Sequence, residues 1–212
     1  MKNIIRNVIY IILASLMLGA FVYLGTRDWT PEPNHENDHI IMSRMFRGLG
    51  RNNIYEILDN KQLIRFLENG TGIVVFCFRD APYCSYYLSI LNDIVRESHL
   101  DSIFFYDILT DRETRSFYYQ VVVNKSRQFL IKNDFGQHVL TVPAAFFVKD
   151  GELVGFNNDT SNLVGLVNPQ SFWTMERREE FRETINDLIR LLLDEPDEPY
   201  DLEEEVIEEY EY

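Results

Sequence analysis

The stretch Gly72–Phe78, GIVVFCF, constrains the fold more than any other part of the chain. It is continuously apolar and rich in β-branched and aromatic residues. That is the pattern of a strand covered on both faces, not of one wetted on alternate residues. Arg79 and Asp80 follow, then Ala81-Pro82-Tyr83-Cys84, then CSYYLSILNDIVRES, where Tyr87, Leu88, Leu91, Ile94 and Val95 fall on one helical stripe. Pro82 suits the entry to a helix, where a missing N–H costs nothing. A doubly covered strand leading straight into an amphipathic helix needs further strands beside it and helices on both sides, which is a layered α/β architecture.

The flanking sequence supplies them. IYEIL, 54–58, alternates like a strand, and Asp59 is placed to cap a helix over NKQLIRFLEN, with Leu63, Ile64 and Leu67 inward and Gly70 as its stop. SIFFYDI, 102–108, reads as another strand. Residues 111–135 read as helix in two pieces, broken near Asn124 and ended by Gly136. TVPAAFFVKDGELVGF contains a hairpin, with strands over 144–149 and 152–156 about an Asp150-Gly151 turn. Residues 171–193 form a long amphipathic helix that turns Phe181, Ile185, Leu188, Ile189 and Leu192 inward. The predicted order is β-α-β-α-β-α-β-β-α, and the closing hairpin makes the sheet mixed.

The termini differ in character. Lys2 and Arg6 precede residues 8–25, VIYIILASLMLGAFVYLG, a run without charge that is just long enough for a membrane span. Tyr10 and Tyr23 sit near its ends, and its C-terminal end has no small-x-small cleavage pattern, so an uncleaved single-pass signal anchor is expected over 1–27. The basic flank comes first, which places residues 1–7 in the cytoplasm and everything after about residue 27 outside the cell membrane. Residues 28–49 read as a linker, with Pro31 and Pro33 in a polar run and MSRMFRGLGRN as a candidate short helix. His35 and His39 are four apart, but the prolines favour an extended segment and no metal site is expected there. The globular domain spans 50–193. The tail, 194–212, holds eleven acids and no base, so it supplies −11 of the formal charge of −14. Such a block repels itself and stays solvated unless a basic partner receives it, with Tyr200, Val206, Ile207, Tyr210 and Tyr212 as anchors.

A charge of −14 argues against nucleic acid as a partner, because phosphate binding needs clustered Lys and Arg. No phosphate loop and no Ser/His/Asp set is visible, and His99 and His138 have no ligand spacing with either cysteine, so no cofactor is expected. Cys77 packs as a small hydrophobe within its strand. A bond between Cys77 and Cys84 would need Cα atoms within about 7 Å, and a strand followed by its helix argues against that approach.

Three local patterns resemble the thioredoxin superfamily. VVFCFRDAPYC resembles the strand and active-site turn, with Ala81-Pro82-Tyr83-Cys84 at the Cys-Pro-Tyr-Cys positions. TVPAAFFVKDGELV resembles the cis-proline loop and hairpin, with Val142-Pro143 at the loop. DNKQLIRFLENGTGIVVF resembles the first helix and central strand. Among branches, the chain looks like membrane-anchored bacterial thioredoxin-like proteins that accompany bacteriocin export. The resemblance implies a thioredoxin-like mixed sheet over about 50–193, and a polypeptide-binding groove at Ala81, Pro82, Tyr83, Val142 and Pro143. It also exposes two departures. Ala81 stands where the family carries its nucleophilic cysteine, and Val75 where it carries a buried acid. Dithiol cycling at the motif is therefore expected to be lost. Two functions remain: a module that holds a polypeptide or membrane-protein partner without redox chemistry, and an enzyme in which Cys84 alone performs thiol–disulfide exchange. Arg79 and Asp80 would solvate the rim of the groove or steer a charged partner. A scaffold in a membrane complex, acting through its anchor and tail, is the third reading.

Overall fold

The computed structural model describes residues 37–98, 100–160 and 167–194. Its centre is the strand that the apolar run demands. β2, Gly72–Cys77, is buried throughout Ile73–Cys77. On one side it runs parallel to β3, Ile103–Asp107, in the register Val74↔Phe104 to Cys77↔Asp107. On the other it runs antiparallel to β4, Ala144–Lys149, in the register Gly72↔Val148 to Phe76↔Ala144. β1, Tyr55–Ile57, adds to β3 in parallel, and β5, Glu152–Asn157, adds to β4 through the hairpin. The result is a mixed five-stranded sheet in the order β1-β3-β2-β4-β5.

Helices cover both faces. α1 is Asp38–Met45 and α2 is Asn60–Asn69; α3 is Cys84–Glu97; α4, Leu109–Thr114, and α5, Phe117–Lys125, follow β3; α6, Pro169–Phe172, and α7, Met175–Leu193, follow β5. α2 packs with α5, and α3 packs with α7. The start of α2 shows why the sequence folds there. The Asp59 carboxylate accepts from the Lys61 and Gln62 amides at 2.7 and 2.8 Å, while the Gln62 side chain accepts from the Asp59 amide at 2.7 Å. This reciprocal capping box satisfies N–H groups that a helix start leaves without partners.

Three expectations need correction. Residues 38–49, read as the end of a linker, belong to the globular unit. Met42, Phe46 and Leu49 are in the core, and the Asp38 carboxylate accepts from the Ile57 amide at 2.7 Å, so α1 is tied to β1 by a hydrogen bond. The apolar pattern of MSRMFRGLG is sparse, and the polar residue holding it was not recognisable as a tether.

The helical stretch after β3 breaks at Arg115, not near Asn124. Arg115 adopts φ 49°, and Ser116 then caps α5 by accepting from the Tyr119 amide at 3.2 Å. The helix stops at Lys125, followed by a 3₁₀ turn over Arg127–Phe129. Residues 130–139 form an irregular hairpin in which the Asn133 side chain accepts from the Phe135 and Gln137 amides at 3.0 and 2.9 Å. A side chain that offers the backbone such a turn competes with helix. Likewise the helix expected over 171–193 is interrupted at Trp173, and Thr174 caps α7 by accepting from the Arg177 amide at 3.3 Å.

The candidate anchor at 8–25, His35, His99 and the acidic tail from 195 lie outside the described residues. Among the described residues no helix is long and apolar enough to cross a membrane, and no three His, Cys, Asp or Glu side chains gather as metal ligands.

The hairpin tip locks onto α2. Gly151 adopts φ +76°, its amide donates to the Gly70 carbonyl at 2.9 Å, and a Cβ there would lie 1.9 Å from the Glu68 carbonyl oxygen. Gly151→Ala is therefore expected to lower the unfolding free energy by about 2 kcal/mol or more, combining left-handed backbone with a backbone clash. Urea titration measures it, and a loss below about 0.5 kcal/mol would show that the tip relaxes freely.

Candidate functional site

β2 ends at Cys77, and α3 begins at Cys84. Between them the chain doubles back on two tight turns: the Ala81 amide donates to the Phe78 carbonyl and the Cys84 amide to the Ala81 carbonyl, each at 3.1 Å. This fold-back returns the helix start to the strand end. Cys77 and Cys84 are disulfide-bonded, with Cα atoms 5.9 Å apart. The sequence argument against such a bond assumed that the turn carries the helix away from the strand, and the two i→i+3 hydrogen bonds do the opposite. Both sulfur-bearing residues have no exposed surface.

The residues expected to form a groove meet at this end of the sheet. The register Phe76↔Ala144 sets the loop before β4 beside the turn after β2, and the Val142–Pro143 peptide bond is cis. Their exposure is uneven. Pro82 faces solvent, whereas Ala81, Tyr83, Val142 and Pro143 are buried. Val75 is wholly buried in β2, so no carboxylate occupies that position.

What buries Tyr83 was not anticipated. Its hydroxyl donates to the Val167 carbonyl at 2.6 Å, and its ring meets Phe172 edge-on at 6.0 Å. From Phe172 the edge-on contacts continue through Trp173 and Phe181 to Tyr87, at 5.2, 5.2 and 5.0 Å. Tyr87 lies one helical turn beyond Tyr83, and its amide donates to the Tyr83 carbonyl at 3.0 Å. The Tyr87 hydroxyl donates to Asn157 Oδ1 at 2.9 Å, and Asn157 Nδ2 donates to Asp159 at 2.7 Å. The segment Val167–Trp173 thus clasps the first turn of α3. Its signal in the sequence was Asn168-Pro169, a helix start, followed by Phe172-Trp173. Those aromatics were absorbed into the long helix read there.

Burial, aided by the Asp159 charge, pushes the Tyr87 phenol well above its ordinary range, and burial does the same to Tyr55, whose hydroxyl donates to the Leu88 carbonyl at 2.8 Å. Burial and the hydrogen bond to Asp111 also raise Tyr106. A raised phenol binds its proton more tightly in the folded state, so its stabilising share is complete below about pH 10 and fades as pH rises past that value. Stability is expected to fall above about pH 10, and Tyr87→Phe should flatten that slope while losing the Asn157 bond. Thermal unfolding against pH, with ionisation followed by absorbance, measures both effects. Ionisation of all tyrosines before unfolding would refute the assignment.

The accessible part of the turn faces a hollow of about 410 Å³, where Arg44 and Arg47 from the end of α1 meet Arg79, Asp80 and Ser85. Chemically, the site offers a sealed sulfur pair behind an exposed proline and a rim rich in guanidinium groups. Neither sulfur is accessible to solvent.

The disulfide closes a short loop, which in chain-entropy terms restricts the unfolded state by about 2–3 kcal/mol. Dithiothreitol is expected to leave the native bond intact and to reduce it once urea unfolds the chain. The reduced protein should then unfold at lower urea, by that free energy. Reduction of the native protein at the rate of the unfolded chain would overturn the sealed geometry.

No protein-family model, no curated protein and no solved structure matches the chain.

Proposed function

We propose that this chain is a membrane-anchored, extracytoplasmic thioredoxin-like protein that holds a polypeptide partner at the end of its sheet without cycling a dithiol. The observation that carries the reading is the Cys77–Cys84 pair: both residues are buried and joined to each other, while Ala81 occupies the position where exchange would need an exposed sulfur. Thiol exchange requires an accessible thiolate, so the turn retains a surface and lacks a nucleophile. The sheet order, the strand–turn–helix at 72–97 and the Val142–Pro143 loop beside it support the thioredoxin-like assignment. The placement outside the cytoplasm rests on Lys2 and Arg6 before residues 8–25, and it agrees with a disulfide, which persists in oxidising compartments.

The contact surface in this reading is narrower than the five residues first named for it. Pro82 and the rim formed by Arg44, Arg47 and Arg79 meet the partner. Ala81, Tyr83, Val142 and Pro143 shape that surface from beneath. Exchange through Cys84 would require the bond to open and the sulfur to reach solvent.

A photo-crosslinking side chain at Pro82 or Arg79, in membranes of the native host, tests this. The expected result is a discrete adduct that persists in Cys77→Ala/Cys84→Ala and is lost in Arg79→Glu. An adduct that needs Cys84 and is released by reductant would replace the binding reading with thiol exchange. No adduct at either position would dismiss this end of the sheet as a docking surface.

A further inference from the structure

A second strongly cationic hollow is present in the described structure. A cavity of about 470 Å³ opens between α4, α5 and the irregular hairpin, and it is lined by Arg112, Arg115, Arg127 and His138 together with the amides of Asn124 and Gln137. No Asp or Glu lines it. Among the described residues no carboxylate bonds to any of the three arginines, although elsewhere Arg177, Arg182 and Arg190 all have acidic partners. Arg112 is positioned further by the Phe78 ring, 5.5 Å from its guanidinium carbon. In a chain of net charge −14, three guanidinium groups lining one hollow without an acid suit a multiply charged anion.

We propose that this cavity receives the chain's own acidic C-terminal segment, residues 195–212, as an intramolecular ligand. Charge complementarity is the first argument: the segment has ten acids and no base. The second is where the segment starts. α7 ends at Leu193, and the carboxylate of the next residue, Asp194, is paired with Lys149 at the end of β4. Across the hairpin Lys149 pairs with Glu152. Glu152 lines a second hollow with Lys125, Asn124 and Arg127, and the last two also line the arginine cavity. These residues trace a route from Asp194 past Glu152 and Lys125 to Arg127, Arg115 and Arg112. An extended segment of this length reaches up to about 60 Å at about 3.3 Å per residue, ample for the route round the edge strand β5. Phe117 and Phe135 stand exposed on the elements that border the cavity, apolar surface against which Val206, Ile207 or the tyrosines of the segment can pack. This inference is independent of the partner surface at Pro82.

The test uses the full chain in detergent, with spin labels at Tyr212→Cys and Gln128→Cys; the native disulfide is buried and does not label. Distances between the labels are expected to include a defined short population at low salt. That population should fall by at least half in Arg115→Gln/Arg127→Gln, two exposed positions whose neutralisation leaves the core untouched, and in about 1 M salt, where the screening length shrinks to about 3 Å. Arg44→Gln/Arg47→Gln should leave it unchanged. A broad distribution indifferent to salt and to the arginines would overturn the proposal. So would loss in the Arg44/Arg47 variant alone, which moves the tail to the rim of the turn. A short population that disappears on dilution with unlabelled protein would also overturn it, by assigning the contact to a second copy.

Discussion

The rest of the structure hangs on the burial of one strand. β2 has no exposed residue from Ile73 to Cys77, so every backbone polar group in it must find a partner inside the protein. β3 satisfies one edge in parallel and β4 the other in antiparallel. The parallel neighbour needs a crossover, which is α3, and the antiparallel neighbour permits the short hairpin to β5. Side chains alternate to both faces, so helices must lie on both sides. The layer order follows from the need to keep one apolar ribbon dry.

The same requirement shapes the end of the sheet. A strand that is buried to its last residue delivers the chain to the helix start with little room to manoeuvre. The turn over 78–83 is therefore folded tightly back, and Cys77 and Cys84 come within bonding distance. Tyr83, just before α3, and Tyr87, one turn on, are closed off by the aromatic series Phe172, Trp173 and Phe181. What remains outside is Pro82, beside the hollow lined by Arg44, Arg47 and Arg79.

Much of the fold was legible because its signals are local. Asp59 and Gly70 bound α2 as their capping chemistry requires, and Asp150-Gly151 marks the hairpin. The inward stripe of α3 is buried as its spacing predicts. The misreadings share a cause: in each, a polar side chain redirects the backbone through a partner distant in sequence or through a turn invisible to hydrophobic spacing. Asp38 holds α1 on β1, Ser116 restarts a helix after a left-handed Arg115, and Asn133 builds a turn where helix was expected. Around the candidate site, the strand, the turn and the helix start were legible from local pattern. The bond between the cysteines and the cover over Tyr83 were not, because both depend on how the chain folds back, which periodicity does not encode.

The short span between the two sulfurs has a consequence for how the chain would fail under a protease. The exposed tip of the turn, at Arg79, Asp80 and Pro82, is where an enzyme would find purchase. A single cut anywhere between Cys77 and Cys84 leaves the two fragments covalently joined through their sulfurs. Such a nicked molecule would keep its full mass on a non-reducing gel and separate only with reductant. The half bearing β1 and β2 would stay tethered to the half bearing β3, β4 and β5, and the sheet could survive the loss of continuity at that turn.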